Sequence, residues 1–225
     1  MPRSTLTPDQ IVRSAIALLD EEGLDGLNMR ALGKRLNAAA TAVYWHIKTK
    51  DELVRLAADA VWTGVDLADP GRSGWRAAAA DTARSLHATL IRHPWLSQAF
   101  GGYLLYGPGK SRHDDHTLAV YESAGLSPAD ADRAAATVLT YVLGSALAPA
   151  ALVSLNRRLA AGGPAAARSL DEAMGHAVEI ARDFPRLRDR IETPAADYAA
   201  TPEDSFEFGL KAILDGFEAM LGERS

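Results

Sequence analysis

A chain of 225 residues, 48% hydrophobic and 24% charged, is globular and long enough for one large domain or two small ones. It has no cysteine, which excludes disulfides, zinc-cysteine sites and cysteine nucleophiles. The net charge of −5 excludes a wholly basic nucleic-acid binder, yet residues 28–50 hold Arg30, Lys34, Arg35, Lys48 and Lys50 and no acid, leaving −10 on the rest of the chain.

The N-terminus lacks the apolar core and cleavage site of a signal peptide; its apolar residues are spaced for a helix instead. Thr7-Pro8-Asp9-Gln10 reads as an N-cap, a proline at the first helical position and a capping-box glutamine. Ile11, Ala15, Leu18 and Leu19 then share a face, and Gly23 is expected to end the helix. Asn28 is expected to cap a short second helix carrying Met29, Leu32 and Leu36. A third short helix is predicted from about Ala40 to Ile47. Thr49 and Glu52 form a second capping box at the head of a longer helix with Leu53, Leu56, Ala57 and Val61 inside.

Residues 66–74, "DLADPGRSG", concentrate turn formers and mark the expected joint between two parts, 1–66 and 67–225. Beyond it, helical runs are predicted near 75–92, 95–105, 111–124, 128–160, 169–183 and 203–221. Strand signals are absent, so the fold class is all-α. No segment reads as a bilayer span, and the expectation is a cytoplasmic protein that engages no membrane.

The basic window is the informative part. A helix of about eight residues, a turn near "NAAA" and a helix of about seven make a helix-turn-helix, whose second helix can enter the major groove. Arg30 can reach a guanine edge, as arginine pairs bidentately with O6 and N7. Ala40, Thr41 and Ala42 are short, where backbone must approach bases, and Tyr44 offers a ring and a hydroxyl. Trp45 and its neighbouring rings are expected to pack the corner before the fourth helix, while His46 and Lys50 suit phosphate oxygens. The alternative is an ordinary solvated basic face.

Residues 27–54, "LNMRALGKRLNAAATAVYWHIKTKDELV", resemble the DNA-binding domain of the TetR family of bacterial repressors through Leu27, Arg30, Leu32, Leu36, Tyr44, His46, Lys50, Asp51 and Leu53. The Tyr-Trp-His triplet is especially similar to the tetracycline-repressor branch. The resemblance implies an N-terminal helix-turn-helix domain and a larger helical effector-binding and dimerisation domain. It further implies a homodimer that blocks transcription on palindromic double-stranded operator DNA and is released by a small-molecule effector. Four positions depart from the pattern: Asn37 for the turn glycine, Ala39 for the cap serine, Gly33 for an alanine, and Thr41 where proline is frequent. Asparagine tolerates positive φ, and the lost cap costs about 1 kcal/mol.

Residues 92–107, "RHPWLSQAFGGYLLYG", are the most aromatic stretch and the expected effector pocket. Leu86, His87 and Leu90 lead into it, Trp95, Phe100, Tyr103 and Tyr106 lie in it, Tyr141 approaches from the long helix, and His116 supplies a polar handle. Phe100, Tyr103 and Tyr106 recur at intervals of three and can share a helical face. The other reading is that these rings fill the core. For dimerisation, Leu210, Ile213, Leu214, Phe217 and Leu221 form one stripe, and Val142 and Leu152 lie on a helix apolar nearly all round. Plain intramolecular core is the alternative there. Pro149 is expected to kink or end that helix.

Three motifs fail. "LLYGPGKS" lacks the first glycine of a P-loop, "HDDH" at 113–116 reads as a solvated helix start, and no G-x-S-x-G elbow exists. No metal and no cofactor are expected. The reading is a transcriptional repressor released by a small, largely apolar ligand. An activator on the same scaffold is one alternative, and an all-helical enzyme with an anionic substrate is another.

Overall fold

The computed structural model describes residues 6–192 and 202–223, and every described element is a helix. They run α1 (Pro8–Gly26), α2 (Met29–Arg35), α3 (Ala40–His46), α4 (Lys50–Thr63), α5 (Pro70–Ser73) and α6 (Trp75–Arg92). Then follow α7 (Pro94–Ala99), α8 (Pro108–Ser123), α9 (Pro128–Arg182), α10 (Pro185–Glu192) and α11 (Pro202–Gly222).

The capping residues act as their chemistry dictates. Thr7 and Gln10 close a full capping box on α1. Asn28 Oδ1 accepts from the Ala31 amide at 2.8 Å to start α2. Thr49 Oγ1 accepts from the Glu52 amide at 3.0 Å, and the Glu52 carboxylate accepts from the Lys48 amide at 2.8 Å. Ala39 makes no side-chain cap on α3, as its methyl group requires. Helix α1 breaks at Gly23 (φ 73°) but resumes for a short turn to Gly26 instead of stopping there.

The first three helices and α4 enclose one apolar centre of Ile11, Leu19, Leu32, Val43, Ile47 and Leu53, all essentially inaccessible. Short helices such as α2 and α3 are marginal alone and depend on this packing. From there α4 lies against α8, while α1 lies against α7. Asp59 of α4 accepts from the Lys110 amide at the head of α8 at 3.0 Å. Arg112 of α8 donates to the carbonyls of Thr63 and Val65 at 3.3 Å.

The larger layer is α6, α8 and the first half of α9, with α11 laid across α6 and α9. A three-ring column ties it together: His87 of α6 stacks on Phe206 of α11 at 3.9 Å, and Phe206 stacks on Tyr141 of α9 at 5.8 Å. Tyr141 also donates its hydroxyl to the Ser205 and Phe206 carbonyls, at 3.0 and 2.9 Å.

Several expectations are corrected. The 95–105 helix is only α7; Gly101 and Gly102 end it in a turn, so Phe100, Tyr103 and Tyr106 share no helical face. The 128–160 and 169–183 runs join into α9, which bends at Gly163 (φ 60°), and Pro164 serves as the first residue of the resumed helix. Helical dihedrals persist through Pro149, which does not end α9. By length and composition, α9 does contain a window able to cross a bilayer, against the sequence expectation. One side of that window, Val138, Val142, Ala146 and Ala150, is buried, on a helix that packs on α6, α7, α8 and α11, while Leu147, Leu152 and Val153 stay exposed.

Candidate nucleic-acid interface and effector cavity

Helix α3 anchors through one buried residue, Val43, and turns the rest of its surface outward. Thr41, Ala42, Tyr44 and Trp45 are exposed, while Ala40 and His46 are half-buried. Trp45 is 79% exposed, so its ring packs no corner; only the Lys48 ammonium lies over it, 5.6 Å from the centroid.

The α2–α3 turn is set by backbone. Asn37 adopts φ 49°, the left-handed conformation asparagine tolerates, and the Ala38 amide bonds the Gly33 carbonyl at 2.9 Å. A Cβ at Gly33 would stand 2.8 Å from the Ala38 carbonyl oxygen and 3.2 Å from the Ala40 amide nitrogen. The glycine is therefore what lets the two helices approach, and its departure from the usual alanine is accommodated by the turn.

The five cations of the basic window divide. Arg35 is clasped by Glu21 through two hydrogen bonds of 2.5 and 2.7 Å, which hold the Glu21 carboxyl below its usual range. Lys48 donates to the Tyr44 and Trp45 carbonyls at 3.2 and 3.1 Å, closing the C-terminus of α3. Lys50 donates to the Leu24 carbonyl at 2.6 Å and is half-buried, so this ammonium ties α4 to α1 rather than standing free for phosphate. Only Arg30 and Lys34 of these five carry no partner among the described residues, and both are exposed on α2 beside the outer face of α3. Lys34 was not among the contacts expected from sequence; the exposed face of α2 is the signal that could have found it.

In the second region Tyr103 and Tyr106 line an open recess of 470 Å³ against α4 and Tyr141 one of 700 Å³ beside α11, while an enclosed space lies elsewhere. A space of about 20 Å³, room for about one water, lies between α6, α8 and α9, lined by Ala79, Ala83, Leu86, Tyr121, Val138 and Val142 among others. A recess of 220 Å³ adjoins it, sharing His113, Thr117, Ala135 and Leu139 and bearing Lys110, Asp114 and Asp132 at its mouth. His113 is 5% exposed; its Nδ1 lies 3.4 Å from Asp114, and its ring meets Trp62 of α4 edge-on at 4.7 Å. The Tyr121 hydroxyl has no hydrogen-bond partner among the described residues, and burial raises its pKa.

Of the expected pocket residues, Leu86 lines this cavity. The others do not. Trp95 is buried and donates Nε1 to Asp20 at 2.7 Å. Phe100 packs edge-on against Trp62, and Leu90 sits in the core. Tyr103 and Tyr106 face α4, where the Arg55 guanidinium lies 4.8 Å from the Tyr106 ring. His116 donates Nε2 to the Ala68 carbonyl at 3.0 Å. His87 and Tyr141 belong to the ring column. Small side chains on α6 and α9 make the room, and a search for rings overlooks them: Ala79, Ala83 and Ala135 define the cavity.

The expected dimer stripe is also divided. Val142, Leu210 and Leu214 are buried within the chain, correcting their assignment to an outer seam. Ile213, Phe217 and Leu221 are half-buried, and Leu152 is 56% exposed.

Comparison with known proteins follows the same layout. Residues 11–57 match the family model of bacterial regulatory proteins of the tetR family, and residues 67–221 match the tetracyclin repressor-like C-terminal domain. This chain belongs to the TetR family. An HTH-type transcriptional regulator of Saccharopolyspora erythraea is 32% identical, with 96% of this chain and 86% of that protein covered. The HTH-type transcriptional repressor DrrR1 of Streptomyces coeruleorubidus is 30% identical over 99% of this chain and 81% of its own length. Among solved structures, the Streptomyces coelicolor TetR family protein ActR in complex with actinorhodin superposes with a TM-score of 0.75 and 29% identity, covering 99% of this chain and all of that one. The matched family and these relatives are transcriptional regulators.

Proposed function

We propose that this TetR family regulator is a homodimeric repressor that binds operator DNA through α2 and α3 and releases it when a small, largely apolar molecule enters between α6, α8 and α9. The observation that carries the DNA half is the pair of unpartnered cations, Arg30 and Lys34, beside an exposed face of Thr41, Ala42, Tyr44 and Trp45. Arg30 reads a guanine edge, Lys34 takes phosphate, and the small residues of α3 admit the helix to the major groove. The Lys50 and Asp51 amides, the two at the head of α4 that Thr49 does not cap, add an anion site beside His46.

The ligand half rests on an apolar lining with two polar handles, Tyr121 and His113. With Nδ1–H turned to Asp114, His113 Nε2 accepts a hydroxyl, while Tyr121 donates to a carbonyl or quinone oxygen. ActR's complex with actinorhodin accords with a ring-bearing effector here. The present space is far too small for such a molecule, so its binding parts the helices that wall it. The dimer forms through the outer faces of α9 and α11, where Leu147, Leu152, Phe208 and Met220 are exposed. The test is selection of duplexes from a random pool by wild-type protein, repeated with Arg30→Ala. A palindromic site from the wild type, with relaxed preference at one position of each half-site for Arg30→Ala, is expected; no sequence preference in the wild-type pool refutes the reading.

A further inference from the structure

The α4–α8 contact is not the sole tie between the DNA-reading helices and the effector region. Near the end of α1, a single carboxylate oxygen, Asp20 Oδ1, accepts from Trp95 Nε1 at 2.7 Å and faces His93 Nδ1 at 2.8 Å. Both donors flank the start of α7; Trp95 is buried and His93 half-buried. From α9, Arg157 donates to the Asp20 backbone carbonyl at 3.3 Å. The Arg157 guanidinium also fills the space beside Gly23, where a Cβ would stand 2.7 Å from its Nη1. One turn of α1 thus grips α7 with its side chain and α9 with its backbone.

We infer that Asp20 is a positioning residue that locks the orientation of the reading helices to the effector-free arrangement of α7 and α9. This rests on the repressor reading above and specifies how that repressor is set. Arg157 lies on the same helix as Val138 and Val142, which wall the cavity. A molecule that parts α6, α8 and α9 therefore drags on the Asp20 junction. Two hydrogen bonds to a partly desolvated carboxylate oppose that movement, and both close in the conformation whose cavity is shut. By linkage, whatever strengthens the junction favours the operator-binding state, and whatever weakens it favours release. The break in α1 at Gly23 admits Arg157, so the kink serves the junction as well as the chain path.

The experiment uses the full chain. Because the protein has no cysteine, Arg13→Cys on α1 and Glu122→Cys on α8 provide two exposed spin-label sites without competing thiols. Labelled chains diluted with unlabelled ones report the intrachain distance, and the duplex selected by wild-type protein reports affinity. Asp20→Ala is expected to broaden the distance distribution and weaken the selected duplex about tenfold. Asp20→Asn keeps an accepting oxygen and is expected to stay within about twofold of wild type. Trp95→Phe keeps the ring, loses the donor and moves both readouts in the direction of Asp20→Ala. If Asp20→Ala does not fold, Trp95→Phe and His93→Gln decide the matter. Unchanged distance width and duplex affinity in the folded variants overturn the inference; a wild type that selects no duplex overturns the repressor reading, and the distance measurement still judges the junction.

Discussion

Gly109→Ala tests whether α4 and α8 meet as closely as described. A Cβ at Gly109 would stand 2.5 Å from Thr63 Oγ1 and 3.0 Å from the Thr63 amide nitrogen, and closer still to the Asp59 carbonyl oxygen. The last two are backbone atoms of α4, so no rotamer change relieves the clash. The helices must part by about 0.5 Å or more to restore ordinary contact distances. That separation strains the Lys110 amide bond to Asp59 and the edge contact between Trp62 and His113. Overpacking of this kind costs about 2 kcal/mol, which for a chain of this length is about 4–8 °C in melting temperature. Differential scanning calorimetry of Gly109→Ala beside Gly175→Ala provides the comparison. Gly175 is an exposed helical position with nothing within 4 Å of its would-be Cβ, so alanine there is expected to be neutral or stabilising by about 0.5–1 kcal/mol. If Gly109→Ala melts with wild type, the close approach of α4 and α8 is wrong, and Asp59 cannot be the cap of α8.

Three further outcomes are expected. Lys34→Ala should weaken all duplexes alike and flatten the log–log salt dependence by about one per subunit; a sequence-selective loss in titrations at several salt concentrations would make Lys34 a base contact. Phe208 is 79% exposed on α11, so Phe208→Glu should leave the circular dichroism intact while sedimentation shifts from dimer to monomer; a dimer unaffected by it would place the seam elsewhere. Burial holds the His87 pKa below its ordinary 6.5, the nearby Glu203 and Glu207 opposing only in part, so the unfolded chain binds the proton more readily. Stability should therefore be full above about pH 6.5 and fall as pH drops below it, a slope that His87→Phe removes while keeping a ring on Phe206. The Glu207 carboxyl, held low by Arg84, contributes only in a more acidic window, so urea titrations from pH 7 to 5 isolate the histidine. An unchanged slope in His87→Phe refutes its role.

Much of the reading head was legible because local chemistry decides it. Thr7, Asn28 and Thr49 cap as short polar side chains do, and Asn37 takes the left-handed turn its side chain tolerates. The effector region was less legible, because its outcome depends on partners far along the chain. Trp95 is an apolar ring in sequence, yet its N–H is claimed by Asp20, 75 residues away. Tyr106 has the composition of a pocket residue, but two glycines end α7 before it and send the ring to Arg55. The cavity itself is an absence of volume, written in Ala79, Ala83 and Ala135, which look like ordinary helix formers. Charge counting overstated the basic patch for a similar reason: Glu21 and the Leu24 carbonyl, both outside the window, take two of its five cations.

The tight Gly33 turn has an evolutionary corollary. The angle between α2 and α3 is fixed by main-chain contact among Gly33, Ala38 and Ala40 and by the left-handed Asn37. The surface presented to a groove consists of other residues: Arg30, Lys34, Thr41, Ala42, Tyr44 and Trp45. Geometry and vocabulary are thus stored in separate positions. Descendants of this chain could acquire new binding sites by exchanging exposed side chains alone, with Val43 and the glycine turn holding the frame unchanged.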